Sequence, residues 1–262
     1  MNATKKAVDD ILRAVRENRI WMALGWNDVK GRYHRSKLGA LWANVSLMIL
    51  VCALGPVYSR IMSVNLDVYL IHLLLGFVIW NYVSSIISEC GREFITSTAY
   101  LVSFQLGYFT LIMRVVWRNF IVLSYQMLGF VLLAIIFGKI PQIVWLSIPF
   151  ALLLITLNAT WMGLLLAVLA TRYRDLDELM NNIIRLVFFV TPIMWMADYS
   201  EELRFIANIN PFFHLIEIFR MPLANSSLPI DSWRFMAIMC LIGWLIALPV
   251  FIRYRSRIAF WL

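Results

Sequence analysis

Lys30, Arg32, Arg35 and Lys37 place four cations within eight residues, with Tyr33 and His34 between them and an uncharged run beginning at Leu38. An arginine fork matches two oxygens of a phosphate, so such a cluster at the mouth of an apolar segment suits an anionic headgroup or a diphosphate. The same residues also read as an anchor, because Lys and Arg collect on the cytoplasmic flank of membrane spans. Glu217 and Arg220 stand at i and i+3, able to close an ion pair on one helix face. His72 lies four residues inside a long apolar run, where a hydrogen-bonded structural role is the simpler reading. Trp80, Phe188, Phe189 and Trp195 also lie in apolar runs and offer flat faces, either for sugar rings or for packing against lipid.

Other chemistry is missing. The sequence has no GxxxxGK[ST] phosphate loop, no His/Cys metal-ligand spacing and no nucleophile elbow. The chain is therefore expected to hydrolyse nothing and to bind no cofactor or metal of its own. Ion-coupled carriers keep ionisable groups deep in the membrane, whereas here Asp67 and Glu89 stand only at the edges of apolar runs. An intramembrane enzyme would need catalytic polar residues gathered at one depth, and none are evident. Cys52, Cys90 and Cys240 read as small apolar filler, the usual role of a buried free cysteine.

The elements that must position these residues are membrane helices. A hydrocarbon core of roughly 30 Å takes about 20 apolar residues per helix. Five uncharged runs qualify: 38–58, 68–88, 119–138, 143–171 and 235–252. A sixth, 179–197, carries only Arg185. Backbone groups cannot stay unpaired in lipid, so the fold class is all-α, with six transmembrane helices. Eighteen of the 23 Lys and Arg fall in 1–37, 89–118, 171–185 and the tail after Ile252, against five in the opposite loops, which places both termini in the cytoplasm. The formal charge of +8 is explained by attraction to anionic lipid rather than to nucleic acid.

Residues 1–37 read as a cytoplasmic interface segment. Val8, Ile11, Leu12 and Val15 recur at helical spacing, with Asp9, Asp10, Arg13, Arg16 and Glu17 opposite. Residues 38–262 form the transmembrane domain. Within it, 88–108 is long enough for a short helix with a partner-facing side. The run 143–171 exceeds one crossing, so a tilt, an extramembrane turn or a bend at Pro149 or Gly163 is expected. An Arg at mid-membrane costs about 2.5–3.5 kcal/mol, so Arg185 either snorkels to the inner headgroups or faces a polar path. In 198–233, the part from Phe205 to Leu223 is too apolar for a loop and too short to span, which fits re-entrant or interfacial helices.

The residues Trp26-Asn27-Asp28-Val29-Lys30-Gly31-Arg32-Tyr33-His34-Arg35-Ser36-Lys37-Leu38-Gly39-Ala40-Leu41-Trp42 resemble the start of the first span in permeases of ABC-2-type polysaccharide exporters. Ile79 to Asn81 with Ser88 and Glu89 match next in order, then Arg114 to Asn119, Arg172 to Leu176 and Thr191 to Trp195. Asn210, Pro211 and Phe212 with His214, Glu217 and Arg220 complete the set, which covers nearly the whole chain and looks closest to O-antigen export permeases. Capsule and teichoic acid permeases are relatives, and a small-molecule or drug efflux permease would share the span pattern.

The resemblance implies a homodimer in the bacterial inner membrane, energised by two copies of a separate nucleotide-binding subunit that holds ATP and Mg, passing a lipid-linked polysaccharide outward between the protomers. It implies that Glu89, Arg92, Glu93 and Phe94 begin the segment coupled to that ATPase. Lys30, Arg32, Arg35 and Lys37, joined by Arg114 and Arg118 at i and i+4, would attract the carrier's diphosphate. Trp80, Phe188, Phe189 and Trp195 would let the sugar chain slide, and Phe212, Phe213, Glu217 and Arg220 would belong to re-entrant helices closing the outer end.

Overall fold

The computed structural model describes residues 3–34 and 36–262, so Arg35 of the basic stretch lies outside the described residues. Those residues form eleven α-helices and no strand. Helices α1 (Ala3–Arg16) and α2 (Asn18–Arg32) precede α3 (Leu41–Ile61) and α4 (Leu66–Thr96). A short α5 (Thr98–Ser103) leads into α6 (Tyr108–Ile136) and α7 (Ile148–Arg172). Then come α8 (Asp175–Val190), α9 (Glu201–Ile209), α10 (Pro211–Ala224) and α11 (Ile230–Trp261). Five helical segments, those containing α3, α4, α6, α7 and α11, are long and apolar enough to cross a membrane.

Helix α4 is the hub, packing against α3, α6, α7, α8 and α10. Its apolar residues run all the way round, as expected of a helix enclosed by others, and Leu73, Leu74, Leu75, Val78 and Ile79 are fully buried. Its 31 residues extend about 46 Å, well past a hydrocarbon core of about 30 Å. Glu89, Arg92, Glu93 and Phe94 therefore belong to a continuous helix rather than to a loop, and the short helix expected in 88–108 is α5. The surplus in 143–171 is taken up by a 3₁₀ turn over Ile143–Ser147, with Pro149 in the first turn of α7, where its missing N–H costs nothing. Gly163 serves close packing: a Cβ there would come within 2.8 Å of Cys90 Sγ on α4.

Two expectations change. The sixth apolar run is not one helix, because α8 stops at Val190 after 16 residues, about 24 Å. The Thr191 hydroxyl turns back onto the Val187 carbonyl at 2.7 Å, and Pro192 both lacks a donor and bars helical geometry in the residue before it. In α1, Asp10 is not on the solvent side. Its side chain is fully buried with Ala7 and Ala14, while Val8, Leu12 and Val15 are exposed. Asp10 accepts the amides of Tyr108 and Phe109 at 3.3 and 3.2 Å and the Arg255 Nε–H at 2.7 Å, capping α6 from another helix. A Cβ at Gly107 would collide with that carboxylate, so glycine is what allows the approach. Asp10→Ala should lower stability in detergent by about 2 kcal/mol, read from thermal unfolding.

Candidate functional site

At the end of the bundle where α1 packs on the last turns of α11, α2, α4 and α6 meet through charge. Arg114 donates both arms of its fork to Asp28, Nε to Oδ2 at 2.7 Å and Nη2 to Oδ1 at 2.6 Å. Its remaining nitrogen reaches Glu93 at 3.4 Å and Ser97 at 3.2 Å, and Tyr100 of α5 lies under the guanidinium at 4.7 Å. One turn along α6, Arg118 donates to Asp28 at 2.9 Å and to Glu89 at 2.8 Å. Asn119 and Arg32 complete the shell of Glu89 at 2.7 and 3.1 Å. Three arginines thus face three carboxylates, with the Arg114 and Arg118 side chains only 10% and 12% exposed. Charges this buried persist only when paired and hydrogen-bonded, so the cluster fixes α2 onto α4 and α6.

This arrangement determines what the basic residues are free to do. Arg32, Arg114 and Arg118 are engaged by carboxylates, so a diphosphate would have to displace Asp28 or Glu89. Lys30 is exposed and lies 5.5 Å from the Trp26 ring, and Lys37 is exposed. Among the four residues expected to couple to an ATPase, Glu93 and Phe94 are buried and Glu89 is largely enclosed. Arg92 is the exposed one, and it pairs with Asp177 of α8. The outward apolar surface here belongs instead to α5 and the turn after it, where Val102 is 73% and Phe104 69% exposed.

The other end carries a second buried cluster. Glu217 and Arg220 pair as their i, i+3 spacing predicts, and both are buried. Arg220 also donates to the Pro192 carbonyl at 2.9 Å and to His72 Nε2 at 3.1 Å, which assigns His72 the structural role expected of it. Tyr69 donates to the Met194 carbonyl, and Asn210, which caps α10, donates to Thr191 Oγ1 at 2.9 Å. The irregular backbone after α8 is thereby satisfied from α4 and α10. His214 Nε2 donates to the Asn208 carbonyl at 2.9 Å, so its Nδ1 accepts from Ser232 at 2.8 Å. A cavity of about 600 Å³ beside these groups is lined by His72, His214, Glu217, Arg220 and Ser232.

The aromatic residues form a chain of rings. Trp80 meets Phe188 and Phe212 at 5.5 Å each, and Phe188 meets Phe189 at 5.3 Å. Trp80 and Phe213 are buried, whereas Phe189 is 70% exposed. Trp195 stands apart, half-buried, with its indole N–H on the Phe189 carbonyl at 3.2 Å. The mixed charges of 172–178, Asp177 among them, read as an internal salt-bridge network or a contact to another subunit, and Asp177 pairs with Arg92. Sequence reasoning missed Asp10, Asp28 and Arg255 as organising residues. A signal for them exists: with 15 acidic against 23 basic residues, a carboxylate in or beside an apolar helix is expected to find an arginine.

Residues 19–223 match the ABC-2 type transporter family. Two O-antigen export system permease proteins RfbA from Klebsiella pneumoniae are each 23% identical to the chain, over 245 and 248 residues. Each alignment covers 88% of this chain and 90% of the relative. Members of this family are membrane subunits of transporters and not themselves ATPases. With five helices fit to cross a membrane and a family match over most of its length, this chain is a multi-pass membrane protein and belongs to the ABC-2 type transporter family.

Proposed function

We propose that this chain is the channel-forming subunit of an ATP-driven exporter of lipid-linked polysaccharide of the O-antigen type, acting as a homodimer in the bacterial inner membrane. The observation that carries the reading is the end-to-end similarity to the O-antigen export permeases, spanning 88% of the chain. Two copies of a separate ABC subunit supply ATP and Mg, since the chain has no phosphate loop. Both termini face the cytoplasm, consistent with the contact of α1 with α11 through Asp10 and Arg255. The sixth crossing is made jointly by α8 and the buried turn 191–196, completed by α9 and α10 as re-entrant helices. Non-helical backbone is tolerated at membrane depth only when protein buries it, and the bonds from Tyr69, Asn210 and Arg220 supply that burial.

On this reading the ATPase grips α5 through Val102 and Phe104. Glu89, Glu93 and Phe94 form the floor beneath, and Arg92 passes movement to α8 through Asp177. The Asp28, Glu89, Arg114 and Arg118 cluster makes α2 move with α4 and α6. Lys30 and Lys37 remain available to draw in the carrier's phosphates.

Deletion of the chain should abolish surface glycan while lipid-linked glycan accumulates inside; unchanged surface glycan would refute the proposal. Phe104→Asp should leave membrane insertion intact, because surface changes of this kind usually alter stability by under about 0.5 kcal/mol. It should nonetheless lower co-purification with the ATPase and export at least tenfold. Normal assembly and export by that variant would remove α5 as the docking element.

A further inference from the structure

Helix α8 has three faces rather than two. Met180, Ile184, Val187 and Phe188 pack against the core, while Leu179, Ile183, Leu186 and Val190 form an exposed apolar strip. Beside that strip, Glu178, Asn182, Arg185 and Phe189 recur at i, i+4, i+7 and i+11 and are exposed as well. Asp177 and Asn181 take polar partners within the chain, whereas Arg185 has none among the described residues.

Position makes this informative. Arg185 lies six residues beyond Leu179, where the apolar run begins after the acidic first turn of α8, about 9 Å along the axis and within the inner third of a hydrocarbon core of about 30 Å. An arginine side chain leaning toward the start of the helix covers most of that distance, so snorkelling relieves part of the charge. What calls for a further account is that exposed Glu178 and Asn182 share its strip. Intramembrane cations face water-filled paths and mark substrate routes. The apolar strip already gives lipid its surface, which leaves the polar strip for water. Glu178 sits about 10 Å back toward the start of the helix, too far to form a contact ion pair with the guanidinium.

We propose that the strip of Glu178, Asn182, Arg185 and Phe189 lines the aqueous conduit, and that Arg185 is the contact for an anionic group, phosphate or carboxylate, on the cargo as it passes. This rests on the exporter reading and adds to it a wall, a residue and a ligand chemistry. A guanidinium fork matches either anion, and the exposed Phe189 ring continues the strip as an apolar step.

The test uses the complete complex in membrane vesicles, with Cys52, Cys90 and Cys240 replaced by Ser. Asn182→Cys is expected to react with charged methanethiosulfonates at least tenfold faster than Leu186→Cys on the apolar strip. The anionic reagent should be favoured over the cationic one by about tenfold, a preference lost with Arg185→Gln and kept with Arg185→Lys. Equal, slow reaction at both cysteines would put the strip in lipid, and a spontaneous disulfide between two copies at 182 would mean that a second copy covers it. Equal rates for both reagents regardless of Arg185 would remove the anion contact. Any of these results overturns the proposal.

Export then identifies the source of the anion. Slowing by Arg185→Gln that grows with glycan length indicates acidic groups along the sugar, and severalfold slowing independent of length indicates the carrier's phosphate; no slowing counts against the role. If the unsubstituted complex exports nothing, the exporter reading fails, whatever the labelling shows.

Discussion

Arg114→Ala is expected to destabilise the protein by about 3–5 kcal/mol, the cost of leaving buried carboxylates without their cation. Asp28 would lose both bonds of the fork and Glu93 its cation, with Ser97 as its remaining partner. Asp28→Ala should also be severe, because Arg114 and Arg118 would lose their shared acceptor. The double variant Asp28→Ala with Arg114→Ala should be less damaging than the sum, with a coupling energy of up to about 3 kcal/mol. Arg114→Lys should not rescue, since a point charge cannot reproduce the two-pronged contact. Thermal unfolding of the detergent-solubilised protein reads all four. Single-variant losses below about 0.5 kcal/mol would mean that the cluster is as weak as an exposed one and does not tie α2 to the bundle.

The second large effect belongs to the opposite end. Arg220→Ala should strip Glu217 of its cation and unpair both the Pro192 carbonyl and His72 Nε2. With about 3 kcal/mol or more withdrawn from the turn after α8, local opening should rise by about two orders of magnitude. Limited chymotrypsin digestion would read this directly, because Trp195, Tyr199 and Phe205 lie in and just beyond that turn. Pairing Arg220→Met with Glu217→Gln, which removes both charges, should restore much of the protection. Cleavage at the wild-type rate in Arg220→Ala would show that other bonds hold the turn.

The two ends differ in how far the residues announced them. Glu217 and Arg220 were legible because their partnership is local, a matter of i and i+3 on one helix. The partners of Asp28 lie 86 and 90 residues away, and no periodicity reports a contact of that range. Arg114 and Arg118 share a helix face as their spacing requires, yet the face turns inward to acids rather than outward to phosphate. Asp10 shows the same limit: helical spacing placed it opposite Val8 and Leu12 correctly, but solvent and a half-buried arginine are equally polar neighbours.

Helix content and the long spans were readable because the bilayer forces them. The end of the sixth run was not, since hydropathy treats Thr191 to Trp195 as apolar while Pro192 and the Thr191 hydroxyl break the helix there. Arg185 was the one charged residue in that run, and the helix that carries it has a polar outward strip. In this chain the informative positions are those where charge and an apolar setting conflict, because each conflict needs a partner, a water path or a ligand to resolve it.

The central claim is tested most directly by reconstituting the purified chain with its ABC subunit in proteoliposomes and following lipid-linked glycan from one leaflet to the opposite side. The account predicts movement only when chain, ABC subunit and hydrolysable ATP are all present, and none with an ATPase-dead partner. Glycan crossing in vesicles that hold this chain alone, or failing to cross with every component present, would contradict it.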